Sequence, residues 1–193
     1  MTSTDQRTAP AWSHVEEFLR AHEADRIPHP GGTLLEHLAR VATLLADWGT
    51  DSAVQAAGLC HAAYGTDGFD GALLGLDERD TLAEVIGDRA EALVYLYASC
   101  GRAAVYPRLG RDDVPLFHDR FTGEDYSPPE EDLRAFLAIT AANELDVFIH
   151  NPELAARYGP VLYELLSRAR ELLPPAAWRA WQDWKSRQEG GQD

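Results

Sequence analysis

An all-α, single-domain helical bundle of about eight helices is the fold this sequence predicts, and three observations predict it. Apolar residues recur at three- and four-residue spacing through most of the chain. The breaks between those stretches carry helix punctuation, with capping residues at the starts and glycine at the ends. No alternating run is long enough for a half-buried strand, and no repeat of fixed period is visible. The 193 residues, 45% apolar and 25% charged, suit one domain that buries its own core.

Taken in order, residues 1–10 read as a polar, disordered tail, and Trp12 to Glu23 as the opening helix. Thr33-Leu34-Leu35-Glu36 is a capping box that starts a helix to Trp48, with Gly49 as its terminator. Asp51 and Ser52 open the next, expected to run to Tyr64 before Gly65. Asp77 caps a helix ending at Gly87, and Asp88 begins another that ends at Gly101. Arg102–Ser127 is the least regular stretch and is expected to be a long surface loop. Ser127, followed by two prolines, is expected to cap a helix to Ile149. Asn151-Pro152 restarts a helix towards Leu173 that Gly159-Pro160 is expected to kink or split. Pro174-Pro175 opens a last segment carrying Trp178, Trp181 and Trp184, a docking face, and residues 188–193 are expected to fray.

The charge is formally −15, from 17 basic and 32 acidic residues. Such a field repels phosphates, so no nucleic-acid partner is expected. No stretch approaches the ~20 apolar residues of a membrane span, so no membrane partner is expected either. The first ten residues lack the apolar segment of a signal peptide, and Cys60 and Cys100 are too few for a disulfide framework. A cytoplasmic location follows as the expectation. No phosphate-binding glycine loop, nucleophile elbow or H-E-x-x-H motif occurs, so no nucleotide cofactor is expected. Asp112-Asp113 and Glu130-Glu131-Asp132 read as solvated charge or helix-start carboxylates.

Three helices place polar residues where leucine would be expected. His37 falls inside the stripe of Leu34, Leu38, Val41, Leu45 and Trp48. His61 follows Val54, Ala57 and Gly58 at the same spacing, and Asn143 and Glu144 straddle the stripe of Leu133, Phe136, Leu137, Thr140 and Val147. Burying such groups unpartnered costs on the order of a few kcal/mol each. Either histidine alone is explained by a bond to a backbone carbonyl. The set together points to a common polar site where they meet one another, a water, a metal or a ligand. His29, before the Pro30-Gly31-Gly32 turn, stands near the start of the His37 helix, although a plain surface turn also explains it. Tyr64, Thr66 and Asp67, flanked by Gly65 and Gly68, offer hydroxyls and a carboxylate to a ligand, with an ordinary helix-end turn as the alternative. Arg120 and His118 are loop residues able to reach over a pocket. His37, His61, Glu144 and Tyr64 are therefore the candidate catalytic groups, and Thr66, Asp67 and Arg120 the candidate substrate contacts. Glu36 is assigned to its cap and Cys60 to packing.

The order of these residues resembles the HD-domain superfamily of all-helical metalloproteins. That pattern has a histidine on one helix, a His-Asp pair on the next and a distant aspartate on a later one. The matching positions are His37, His61-Ala62 and Asn143, so the paired aspartate is alanine here and the distant one asparagine. The resemblance spans roughly residues 29–150 of a domain read as 11–187, with docking helices over 151–187. More narrowly, His29-Pro30-Gly31-Gly32-Thr33-Leu34-Leu35, Tyr64-Gly65-Thr66 and Arg120-Phe121-Thr122-Gly123 look like a little-characterised HD-like family. The superfamily implies metal-dependent phosphoester hydrolysis, and includes di-iron oxygenases that use more histidines and aspartates than are present here. The superfamily holds its metal through two histidines and those two carboxylates. With both carboxylates replaced, the candidate ligands in this chain are His29, His37 and His61 with Asn143 or Glu144 as an oxygen ligand, a nitrogen-rich group that favours Fe, Zn or Cu over Mg.

Three functions compete. The first is a small-molecule enzyme with a buried histidine-lined pocket and an optional transition metal, in a tailoring step of bacterial metabolism. There His37 and His61 serve as ligands or as general acid and base. The second is an HD-type phosphohydrolase recruiting Glu144, Asp146 or Asp67 as substitute ligands. The third is a catalytically degenerate protein that binds a small molecule or a partner. The sequence leaves the oligomeric state open, a homodimer included.

Overall fold

Helices begin where side chains satisfy their first free N–H groups. The Thr33 hydroxyl accepts from Glu36 N (3.3 Å) and the Glu36 carboxylate accepts from Thr33 N (2.7 Å), which starts α2 (Leu34–Asp47) as the capping box predicts. Asp51 accepts from Ala53 N and Val54 N to start α3 (Ser52–Leu59), and Asn151 accepts from Leu154 N to start α8 (Pro152–Arg168). The structure, a computed structural model, describes residues 12–69, 71–111 and 116–190. Nine α-helices occur among them, completed by α1 (Ser13–Ala21), α4 (Arg79–Ile86), α5 (Asp88–Ser99), α6 (Arg102–Val105), α7 (Glu130–His150) and α9 (Pro175–Gly190). The fold is all-α. Among the described residues no helix is long and apolar enough to cross a membrane.

The arrangement is centred on α7. It packs against α2, α3, α5, α8 and α9, and every residue from Ala135 to Asp146 is buried. A helix enclosed on all sides has no polar face, which is why its apolar positions do not form a single stripe. Around it, Leu38, Val41 and Leu45 of α2, Ala57 and Leu59 at α3, and Leu93 and Val94 of α5 make a continuous core with Leu137 and Ile139. Gly58 lets α2 and α3 approach: a methyl there would overlap Leu45 Cδ1.

Several boundaries differ from the sequence expectation. The α3 helix stops at Leu59, so His61 sits in the turn after it, yet remains buried at 3% exposure. Ser127 does not cap α7, whose N-cap position is Pro129; its hydroxyl accepts from Leu116 N instead. Pro160 does not split α8, because Leu162, Leu165 and Leu166 continue its buried face across the proline. The long loop expected at Arg102–Ser127 contains α6 and an antiparallel pair of two-residue strands, β3 (Phe117–His118) and β4 (Asp125–Tyr126). A second such pair, β1 (Pro28–His29) and β2 (Gly32–Thr33), precedes α2. Strands of two residues leave no alternation to detect. Helix α9 continues through Gly190, past the end at 187 given to the domain, while the expectations for 1–10, Asp112-Asp113 and 191–193 lie outside the described residues.

The tryptophans of α9 face inward. Trp181 is fully buried and its indole N–H donates to Ala141 O (3.0 Å), while Trp184 packs against Phe148. Trp178 lies on Tyr163. This is the docking face expected of the last segment.

Candidate functional site

The buried polar residues of α2, the turn after α3, and α7 meet. The rings of His37 and His61 lie edge to face, centroids 5.3 Å apart. The Nε2 atoms of both point at one atom, Asn143 Oδ1, from 3.0 and 3.1 Å. Their other nitrogens are committed elsewhere. His61 Nδ1–H donates to Gly58 O (2.7 Å), and His37 Nδ1–H donates to Asp146 Oδ2 (2.7 Å). Burial, reinforced by the charge of His37, pushes the His61 pKa down to about 3, so this ring is neutral near pH 7. A neutral ring has one N–H. His61 Nε2 is therefore a lone pair, and so is that of His37 when its ring is neutral. The Asn143 amide is oriented by its own Nδ2, which donates to Glu144 Oε1 (3.2 Å). Turning the amide over would set its oxygen against Glu144 Oε1 while bringing Nδ2–H groups to both Nε2 atoms. In this orientation, and with both rings neutral, three lone-pair atoms converge without a proton between them.

That donor set suits a cation. Two ligands at right angles and ~2.1 Å from a metal are ~3.0 Å apart, which is the spacing found here. Histidine ligands habitually donate their second N–H to a carboxylate or a backbone carbonyl, and His37 and His61 do one of each. Among the described residues no group of three or more His, Cys, Asp or Glu side chains is arranged to hold a metal, since the third atom here is an amide oxygen.

His29, expected as a ligand, stacks face to face on His37, centroids 4.1 Å apart and planes 28° from parallel. In-plane lone pairs of stacked rings run side by side, so His29 does not join the convergence. Burial is the main cause that lowers its pKa to about 4, followed by the charge of His37.

Asp146 and Arg40 are what the sequence reading undervalued. Asp146 takes His37 Nδ1–H and two bonds from Arg40, Nε to Oδ1 at 2.7 Å and Nη2 to Oδ2 at 3.0 Å. Burial raises the Asp146 pKa, but the bonds from His37 and Arg40 outweigh it and hold the carboxyl below its ordinary value. Arg40 also donates to Pro30 O and Gly31 O, pinning the turn that carries His29. Gly31, at φ +81°, packs between Arg40 and His150, where no side chain fits. The signal was available: Arg40 lies one turn after His37, and Asp146 one turn after Asn143.

A cavity of about 620 Å³ opens beside this cluster. Its polar end is formed by His29, His61, Thr66, Arg102, Asn143 and Glu144. Thr66 is held there by paired backbone bonds with Phe69, which also lines the cavity. Glu144 Oε1 faces Arg102 Nη1 at 3.3 Å. Arg102 was read as part of a loop; it begins α6, and its backbone N–H donates to Asp67 Oδ2 (2.8 Å).

Other expected residues are elsewhere. Tyr64 turns away and donates to Glu91, which Arg79 also holds, and burial raises its phenol pKa. Asp67 supports Arg102 and does not line the cavity. Arg120 donates to Ala98 O and lies over Phe121, and His118 donates to Asp125; neither reaches the cavity. As substitute metal ligands, Asp146 is spent on His37 and Arg40, and Asp67 on Arg102 N. Both cysteines are free and buried, and burial pushes each thiol up to about 12, as packing residues require.

The family model described as "Domain of unknown function (DUF6817)" matches residues 18–102. This is less than half of the chain. The match takes in His29, His37, His61 and Arg102 but ends before α7, and its description names no activity. No curated protein and no solved structure gives a significant match.

Proposed function

We propose that this chain is a small-molecule enzyme whose reaction centre is the His37–His61–Asn143 cluster, with a divalent transition metal held by His37 Nε2, His61 Nε2 and Asn143 Oδ1. The observation that carries the reading is that both imidazoles tie up their Nδ1–H groups and turn their remaining nitrogens on one amide oxygen. The resemblance to the HD-domain superfamily agrees with it, since His37, His61 and Asn143 fall at the positions of that pattern. Two nitrogens and one oxygen favour Fe, Zn or Cu. A metal bound there would act as a Lewis acid on a substrate or water oxygen.

The remaining work falls to the chain's own residues. Asp146 holds the His37 proton at Nδ1 and so keeps Nε2 available. Glu144, steadied by Arg102 and Asn143, is the carboxylate at the cavity that accepts a proton from substrate or water. Thr66 offers a hydroxyl for orientation. Two buried free thiols fit the reducing cytoplasm expected from the sequence.

The test is elemental analysis of the purified protein after supply of Fe, Zn or Cu. One metal per chain is expected, lost in His37→Ala and in His61→Ala. Asn143→Asp, which restores a carboxylate, should tighten binding about tenfold or more in chelator competition. His37→Leu should keep the fold and abolish turnover. Absence of stoichiometric metal under all three supplies would overturn the reading.

A further inference from the structure

Among the described residues three arginines pair with buried carboxylates, and two of them close the pair. Arg79 donates to Glu91 from Nε at 2.7 Å and from Nη2 at 2.8 Å. Arg40 donates to Asp146 from the same two atoms at 2.7 and 3.0 Å. Two short parallel bonds are how a guanidinium fork matches a carboxylate. Arg102 makes no such match. It meets the buried Glu144 at one point, Nη1 to Oε1 at 3.3 Å, and that oxygen already accepts from Asn143 Nδ2. Among the described residues this loose contact is the only ion pair of Arg102. Its backbone is fixed by the bond to Asp67, yet its side chain is 28% exposed.

The open fork belongs to the cavity of about 620 Å³. Arg102 lines it beside Tyr106, whose ring centroid is 5.7 Å from the guanidinium carbon. The same cavity is walled by Val147 and Phe148 on α7 and by Tyr158 and Val161 on α8, and Val161 is 64% exposed. Apolar residues left open to water in a concave site cover the body of a ligand, while a few polar groups fix its orientation. A carboxylate supplies what Arg102 lacks. It takes two parallel bonds from the Nε–Nη2 edge, the edge that Arg40 and Arg79 use, while Nη1 keeps Glu144. It also brings a single negative charge beside Glu144, where a phosphate monoester would bring about two.

We infer that Arg102 is a substrate-binding residue and that the cavity takes a carboxylic acid with an apolar body. The carboxylate sits on the Nε–Nη2 edge of Arg102, and the body lies along Val147, Phe148, Tyr158 and Val161. The inference rests on the His37–His61–Asn143 cluster being the reaction centre, and it adds how the substrate is held beside it.

The experiment uses the protein as isolated, with octanoate and octanamide titrated by calorimetry. The two share a tail and differ in the group they offer Arg102. Octanoate should bind one per chain, at least about tenfold tighter than octanamide. In Arg102→Gln the ratio of the two affinities should fall to about one. A merely structural role for Arg102 would weaken both ligands alike and leave the ratio in place. If Arg102→Gln loses the wild-type circular dichroism, Arg102→Lys, which keeps the charge and loses the fork, should still lower the ratio about threefold or more. Val161→Gln should weaken both ligands alike, by about threefold or more. Equal affinities in the wild type, no octanoate binding, or a ratio that survives in the Arg102 variants would overturn the inference. A ratio lost in His37→Ala but kept in Arg102→Gln would overturn it too, by placing the carboxylate on the metal. Metal content is read in the same samples. Octanoate selectivity without metal would sink only the metal centre, and metal without octanoate selectivity only the substrate class.

Discussion

His61 is unprotonated in the folded chain down to about pH 3, whereas in the unfolded chain it titrates near its ordinary 6.5. Between those values the unfolded state binds the extra proton. Its contribution to stability is therefore complete above pH ~6.5 and is lost as the pH falls towards 3, by up to ~1.4 kcal/mol per pH unit. His29, lowered to about 4, acts in the same direction. Urea midpoints of metal-free protein should fall from pH 7 to pH 5, and His61→Leu should flatten that dependence. A slope equal to that of the wild type in the variant would contradict it. Asp146 works in a lower window, because a carboxyl held below its ordinary 3.8 gives up its contribution only as the pH drops beneath that value. Asp146→Asn should cost about 3 kcal/mol in urea unfolding at pH 7, since it leaves the Arg40 guanidinium without its counter-charge. The sequence made His37, His61 and Asn143 legible because each interrupts an apolar stripe. Arg40 and Asp146 were legible only as polar residues one turn beyond His37 and Asn143; their pairing joins residues too far apart in the chain for spacing to suggest it. Tyr64 and Arg120 misled for the reverse reason: chemistry beside a motif says nothing about the direction in which a side chain turns.

At the scale of the elements, local chemistry explains what could be read and what could not. The capping box at Thr33 and Glu36, and the caps at Asp51 and Asn151, are satisfied within a few residues, so α2, α3 and α8 start where the sequence indicates. The early stop of α3, the persistence of α8 through Pro160 and the start of α7 at Glu130 are not marked by side-chain caps of this kind. Gly58 illustrates the role of packing. It was read as a small residue that permits close approach, and the methyl of Gly58→Ala would overlap the fully buried Leu45. That substitution favours an isolated helix, yet it should destabilise the protein by ~1–3 kcal/mol, seen as a lower urea midpoint. A midpoint above the wild-type value would show that α2 and α3 are free to move apart.

For the whole molecule, α7 is the helix against which α2, α3, α5, α8 and α9 all pack. Trp181 is the largest fully buried side chain and is bonded to the backbone of α7. Trp181→Ala should cost ~3–5 kcal/mol while unfolding stays a single transition, measured by urea denaturation with two spectroscopic probes. Two separated transitions would mean that α9 is a dispensable appendage. The bonds from Arg40 and His37 to Asp146 reach across more than a hundred residues. Closing so wide a loop comes late and gains nothing until both ends are in place. The stretch that holds His29, His37 and His61 therefore lacks Asp146 and Asn143, the partners of His37 Nδ1 and of both Nε2 atoms, until the later part of the chain has arrived. The cluster is whole only once α2 and α7 have met.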